Sequence, residues 1–124
     1  MEIWRKIKDF PQYEVSNFGR VRSLDRLLVN HRGNSKNTRR LRGRVLKPRK
    51  VATGYHSVIL CVNQKKKPFR IHRLVAEHFL ENTHNKPYVN HKDGDKTNNH
   101  VDNLEWCTHS ENILHAYETN LISK

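Results

Sequence analysis

An α+β fold, with short antiparallel strands first and a strand, loop, strand, helix unit last, is predicted by three features of the sequence. Apolar residues fall in two alternating rows from Gly54 to Val62, the spacing of a strand. They then recur at Ile71, Leu74, Val75 and Phe79, the spacing of a helix face. Finally, Lys92-Asp93-Gly94-Asp95 is a strong turn between two short apolar segments, which reads as a chain folding back on itself.

Taken in order, Trp4, Ile7, Phe10, Tyr13 and Val15 supply a small N-terminal apolar set. Ser16-Asn17-Phe18-Gly19 reads as a turn between short strands. From Arg26 to Lys50 there are ten Lys or Arg residues and no acid, among Asn, Gly and Ser. Such a stretch cannot build a core and reads as an extended arm or mobile loop that orders against phosphates. Arg39, Arg40, Arg42 and Arg44 are its densest contact points. In the next strand Tyr55, Ile59 and Cys61 lie on one side and Val58, Leu60 and Val62 on the other, and Asn63 to Pro68 turns the chain back as a hairpin. His72 and Arg73 are expected on the exposed shoulder of the helix that starts at Ile71, and Glu81 to Pro87 is a polar connection.

Tyr88-Val89-Asn90-His91 and Leu104-Glu105-Trp106-Cys107 read as the paired strands of the last unit. Thr108 with Glu111 three residues on forms a capping box that starts a helix. Ile113, Leu114 and Tyr117 give that helix an apolar face, and Trp4 and Trp106 are expected in the core.

At 124 residues the chain fits one domain or two very small modules. It holds no run of about 18 apolar residues, so no membrane partner is expected. Its start, Met1-Glu2-Ile3-Trp4-Arg5-Lys6, lacks a secretory signal core, so a cytoplasmic location follows by default. Cys61 and Cys107 are the only cysteines and form no CxxC pair, which argues against structural zinc and for reduced, buried thiols. A net charge of +12 points to a polyanion, with nucleic acid foremost.

Asn112 falls in the first turn of the last helix, where it can face the end of the strand that carries Asn90 and His91. A histidine near its ordinary pKa is largely neutral at pH 7 and can take a proton from water. Amide oxygens from Asn90 and Asn112, completed by phosphate and water oxygens, suit one hard divalent ion, Mg2+ or Mn2+. Taken alone, His91 would also fit a hydrogen-bonded structural histidine. Asp93, Asp95 and Asn98 resemble a calcium loop, but Asn98 and Leu104 stand where that loop needs Gly and Glu. His72, Glu77 and His78 do not have the spacing of a zinc protease. His115 reads as an exposed helix residue or a phosphate contact, and Arg73 as a phosphate contact or a solvated cation.

The order of Ile71-His72-Arg73-Leu74-Val75-Ala76, Val89-Asn90-His91-Lys92-Asp93-Gly94, Asn98-Asn99, Asp102-Asn103-Leu104-Glu105-Trp106 and Glu111-Asn112 closely resembles the HNH homing endonucleases of phages. Trp4, Ile7, Tyr13, Val15-Ser16-Asn17, Gly19 and Val21-Arg22-Ser23 resemble the DNA-contacting NUMOD4 module that often precedes that nuclease domain. The resemblance implies a ββα-metal (His-Me finger) core at about residues 86–118. It divides the chain into a DNA-binding module with its basic arm (1–50) and an HNH nuclease domain (51–124). It implies a metal-dependent endonuclease acting on double-stranded DNA, without a small-molecule cofactor, as a monomer or weak dimer that nicks one strand per binding event. His91 looks like the general base, Asn103 like the residue that holds the hairpin and orients the base, and Asn90 and Asn112 like metal ligands. Some relatives carry Asp where this chain has Asn90, and a neutral amide attracts a cation less than a carboxylate does. Larger relatives carry a further DNA-reading module after the helix, which leaves the basic arm as the expected substitute. The competing expectation is a DNA-binding protein that keeps this fold without chemistry.

Overall fold

A computed structural model describes residues 1–32 and 35–118, except for the side chains of 28–38 and 116–118. Strands β1 (Trp4–Ile7), β2 (Phe10–Ser16) and β3 (Val21–Ser23) form an antiparallel sheet in that order. The expected turn at Ser16 to Gly19 joins β2 to β3. Strands β4 (Arg26–Arg32) and β5 (Ser35–Leu41) then pair with each other from Arg26↔Leu41 to Arg32↔Ser35. The basic stretch is therefore a two-stranded ribbon over most of its length and not a loop. Pairing the two strands gives this core-less stretch backbone hydrogen-bond partners within itself.

Strands β6 (Arg49–Lys50), β7 (His56–Val62) and β8 (Lys65–Arg70) form the next sheet, with β7 in the middle. The reversal after β7 is tighter than expected, because Lys65 to Pro68 already pair with β7 and only Asn63 and Gln64 turn. Their φ values of 51° and 65° are those of a two-residue primed turn, in which Asn is favoured. Helix α1 (Ile71–Phe79) follows directly, and β9 (Tyr88–His91), β10 (Leu104–Cys107) and α2 (His109–Glu118) complete the chain. Strands β9 and β10 pair antiparallel with Leu104 opposite His91 and Glu105 opposite Asn90. The capping box is formed as read: Thr108 Oγ1 accepts from the Glu111 amide at 3.2 Å, and Glu111 Oε1 accepts from the Thr108 amide at 2.9 Å. No helix among the described residues is long and apolar enough to cross a membrane.

One apolar cluster holds side chains from both halves. Ile7, Tyr13, Val15 and Val21 pack with Val58, Leu60, Ile71, Leu74, Val75, Val89 and Leu104. The Tyr13 hydroxyl accepts from the Cys61 amide at 3.1 Å, and His78 on α1 accepts from the Lys8 amide at 3.0 Å. Cys107 is buried, but Cys61 is only half-buried. Trp4 and Trp106 are half-buried as well: Arg22 lies over Trp4 at 4.0 Å, and Trp106 packs against the cluster. Ile113 and Leu114 remain 41% and 62% exposed, so they do not form the buried face expected of α2. The side chain of Tyr117 lies outside the described residues.

His72 departs most from expectation. It is 6% exposed and lies inside, between Tyr55 and His91, rather than on an exposed shoulder. Its Nδ1 has no hydrogen-bond partner among the described residues. Burial, aided by His91, Arg73 and Arg70, holds its pKa at about 3. An unfolded chain takes up this proton near 6.5 and the folded one does not, so stability falls as pH drops through that window. Acidification from pH 7 to 5 should cost about 2 kcal/mol through this group alone. Urea denaturation at the two pH values should show that loss in the native chain and a correspondingly flatter dependence in His72→Phe; equal dependences would refute the assignment.

Candidate active site

The site is built on the β9, loop, β10, α2 unit. Alternation along β9 buries Val89, but Asn90 and His91 at its end are buried too, at 6% and 4% exposed. A buried polar group needs a partner, and each has one. Asn90 Nδ2 donates to Glu105 Oε1 across the strand pair at 3.0 Å. His91 Nε2 donates to Asn99 Oδ1 at 2.8 Å. With its proton on Nε2, the His91 ring carries its lone pair on Nδ1. Burial lowers its pKa from the ordinary value, against the opposing effects of the Asn99 bond and the carboxylates of Asp93 and Asp95. At pH 7 the ring is neutral and able to accept a proton.

The loop between the strands is held by its own polar residues. The Asn103 side chain accepts from the Asp93 amide at 3.0 Å and donates to Asp93 Oδ1 and the Asn98 carbonyl, both at 2.9 Å. Asp93 and Asp95 accept from the amides of Asp95 and Thr97 at 2.8 and 3.0 Å, which is the turn-capping role expected of these acids. Asn103 thus holds the hairpin, while the bond to His91 comes from Asn99.

Sequence reasoning missed Asn99, because nothing in an Asn98-Asn99 pair tells which amide faces inward. It also missed the ring cluster behind His91. Tyr55 stacks on His72 with centroids 4.8 Å apart, and His72 lies 5.0 Å from His91. Arg70 and Lys96 flank the Tyr55 ring, each 4.9 Å from its centroid.

Asn112 lies half-buried in the first turn of α2, which packs against β9. Further along α2, His115 donates to the Lys92 carbonyl at 2.7 Å. Arg73 is half-exposed on α1: it donates to the Pro87 carbonyl at 2.9 Å, lies 5.6 Å from the Trp106 ring centroid and approaches Glu77 at 3.8 Å. Arg39, Arg40, Arg42 and Arg44 are all exposed. Arg40 pairs with Asp25 at 2.8 Å, a surface bond of small worth that a phosphate can replace.

The oxygens of Asn90 and Glu105 are of the kind that a hard divalent cation takes. Asn90 uses its Nδ2 on Glu105, which leaves Oδ1 as an oxygen donor, and Glu105 brings a carboxylate beside it. Amide and carboxylate oxygens are the ligands that Mg2+ and Mn2+ prefer. Among the described residues no three His, Cys, Asp or Glu side chains are grouped to hold a metal. An ion here would therefore depend on phosphate and water oxygens to fill its shell.

Residues 2–61 match the NUMOD4 motif and residues 69–114 match the HNH endonuclease family. The chain thus carries a NUMOD4 motif followed by an HNH endonuclease domain, and its relatives include HNH homing endonucleases. It is 39% identical to the HNH endonuclease L245 of Acanthamoeba polyphaga mimivirus over 95% of its own length and 31% of that protein's. It is 37% identical to the DNA endonuclease I-HmuI of Bacillus phage SP01 over 89% of its length and 55% of that protein's. A solved structure, described as DNA binding and cleavage by I-HmuI, superposes with a TM-score of 0.76 at 33% identity, covering 98% of this chain and 62% of that one. The chain therefore spans less than two thirds of each of these relatives.

Removing the Asn103 side chain leaves the Asp93 amide and the Asn98 carbonyl without their partner. Asn103→Ala should lower the unfolding free energy by about 1–3 kcal/mol and speed hydrogen exchange at the Asp93 amide. Unchanged exchange at that amide would count against this role.

Proposed function

We propose that this chain is a metal-dependent DNA endonuclease of the HNH homing type, in which residues 1–50 engage the duplex and residues 51–124 cut it. The observation that carries the reading is His91: a buried, neutral imidazole whose Nε2 proton is committed to Asn99, so that Nδ1 is its basic atom. Nδ1 takes a proton from water as the water oxygen attacks the phosphorus, and the bond from phosphorus to the leaving sugar oxygen breaks. Asn99 keeps the ring in the tautomer that this step needs, and Asn103 keeps the loop that presents Asn99 in shape.

Asn90 and Asn112 would hold one Mg2+ or Mn2+ ion, with Glu105 adding negative charge beside Asn90 to compensate for the neutral amide. When bound, the ion neutralises charge on the phosphate and on the leaving oxygen. A single His91 serves a single scissile bond, so a nick in one strand is the expected product of a monomer. Arg39 and Arg40 on the ribbon β4–β5, with Arg42 and Arg44 just after it, supply phosphate contacts that position the duplex without reading its sequence. Arg73, half-exposed on α1, is a further candidate phosphate contact.

His91→Ala should reduce nicking of supercoiled plasmid by at least about 100-fold while leaving DNA affinity nearly intact, because the base acts in the transition state. Native nicking should require Mg2+ or Mn2+ and stop with EDTA. Full nicking by the variant, or nicking in EDTA, would overturn the mechanism. Tight DNA binding with no cleavage under any metal would favour a non-catalytic DNA-binding protein. Separately, replacing Arg39, Arg40, Arg42 and Arg44 by Ala should flatten the salt dependence of binding by about 0.9 per lost phosphate contact. An unchanged slope would remove the ribbon from the interface.

A further inference from the structure

We infer that the Ser16 to Gly19 turn of the N-terminal half is a positioning element for His91, acting through Asn99. The inference rests on the proposed role of His91 as base, but its geometry is independent of it.

Asn99 lies on the loop between β9 and β10, and its side chain is the hydrogen-bond partner of His91 Nε2. Asn103 holds the neighbouring stretch, at Asp93 and Asn98. Residues 99–101 are instead met one by one from outside, by residues 17–19. The Val101 amide donates to the Asn17 carbonyl at 2.8 Å. The His100 ring stacks on Phe18, with centroids 5.0 Å apart and planes 27° apart. Gly19 lies directly under Asn99: a Cβ placed on it would stand 2.8 Å from the Asn99 carbonyl carbon, oxygen and Cβ. Only glycine permits this approach, and only glycine readily takes the φ of +87° found there.

The turn can act as a support because it is itself fixed. Ser16 is fully buried, and its hydroxyl accepts from the Phe18 and Arg20 amides at 3.1 and 3.2 Å. Asn17 Oδ1 accepts from the Ile3 amide at 2.7 Å, and Arg20 pairs with Glu2. The side chain that holds His91 thus stands on a rigid turn of the other half of the molecule. That half also carries the basic ribbon, so the base and the proposed DNA-holding surface share one frame.

A purely structural contact would lower stability without changing the geometry at His91, and a double-mutant cycle separates the two. Asn99→Ala should lower kcat about 10- to 100-fold at nearly constant KM, the usual cost of a misplaced catalytic group. Gly19→Ala should lower kcat in the same way. The Asn99→Ala/Gly19→Ala protein should be no slower than Asn99→Ala alone, because both act through one contact. Imidazole 15N shifts of His91 should report a protonated Nε2 in the native chain and a mixture of tautomers in both single variants. Phe18→Ala, which leaves the turn backbone free of strain, repeats the cycle should Gly19→Ala not fold. Native kcat and native His91 shifts in Phe18→Ala and Gly19→Ala would overturn the inference, as would losses that multiply with that of Asn99→Ala. Full activity in His91→Ala would instead remove the base assignment, and the tautomer shifts would then judge the turn by themselves.

Discussion

A neutral imidazole buried at the end of a strand has to be held by a hydrogen bond, and in this protein the bond from His91 to Asn99 is the contact on which the site depends. Without a partner at Nε2 the ring would lose part of the free energy that folding invests in burying it, and its proton would be free to occupy either nitrogen. The surrounding architecture supplies that partner in layers. The β9–β10 register brings the loop back over His91, Asn103 closes the loop on Asp93 and Asn98, and the N-terminal turn supports residues 99–101 from below.

Charge and burial are divided between different parts of the molecule. The acid-free stretch from Arg26 to Lys50 carries ten of the chain's 24 Lys and Arg residues, and Arg39, Arg40, Arg42 and Arg44 within it stand in solvent, where their interactions with each other are screened and weak. The site is the opposite environment. There two histidines, His72 and His91, are kept neutral by burial, and the nearest carboxylates are largely committed to amides of their own loop. A surface that attracts a polyanion and a buried, uncharged base are both needed by the proposed reaction. Neither could be made from the other's residues.

The shared apolar cluster explains why two short segments of this size hold together. Tyr13, Val15 and Val21 from one half and Leu60, Ile71, Leu74 and Leu104 from the other are each too few for a stable core. Packed as one cluster, they fix the N-terminal sheet against α1 and the nuclease-like unit, and this alignment lets the Ser16 to Gly19 turn meet the loop at Asn99.

Much of this was legible in the sequence where the signal is local. The strand and helix periods, the turn at Lys92 to Asp95, and the capping box at Thr108 and Glu111 depend on residues within a few positions of each other, and each formed as read. The ordered motif residues also marked both the NUMOD4 and the HNH segments. What the sequence did not reveal depends on contacts between distant positions: that the basic stretch pairs with itself, that His72 is buried against Tyr55 and His91, that α2 leaves Ile113 and Leu114 in solvent, and that Asn99 rather than Asn103 binds the His91 ring. A local pattern fixes which way a side chain points from its own strand or helix. Which partner it then finds is decided only when separate elements pack around one core.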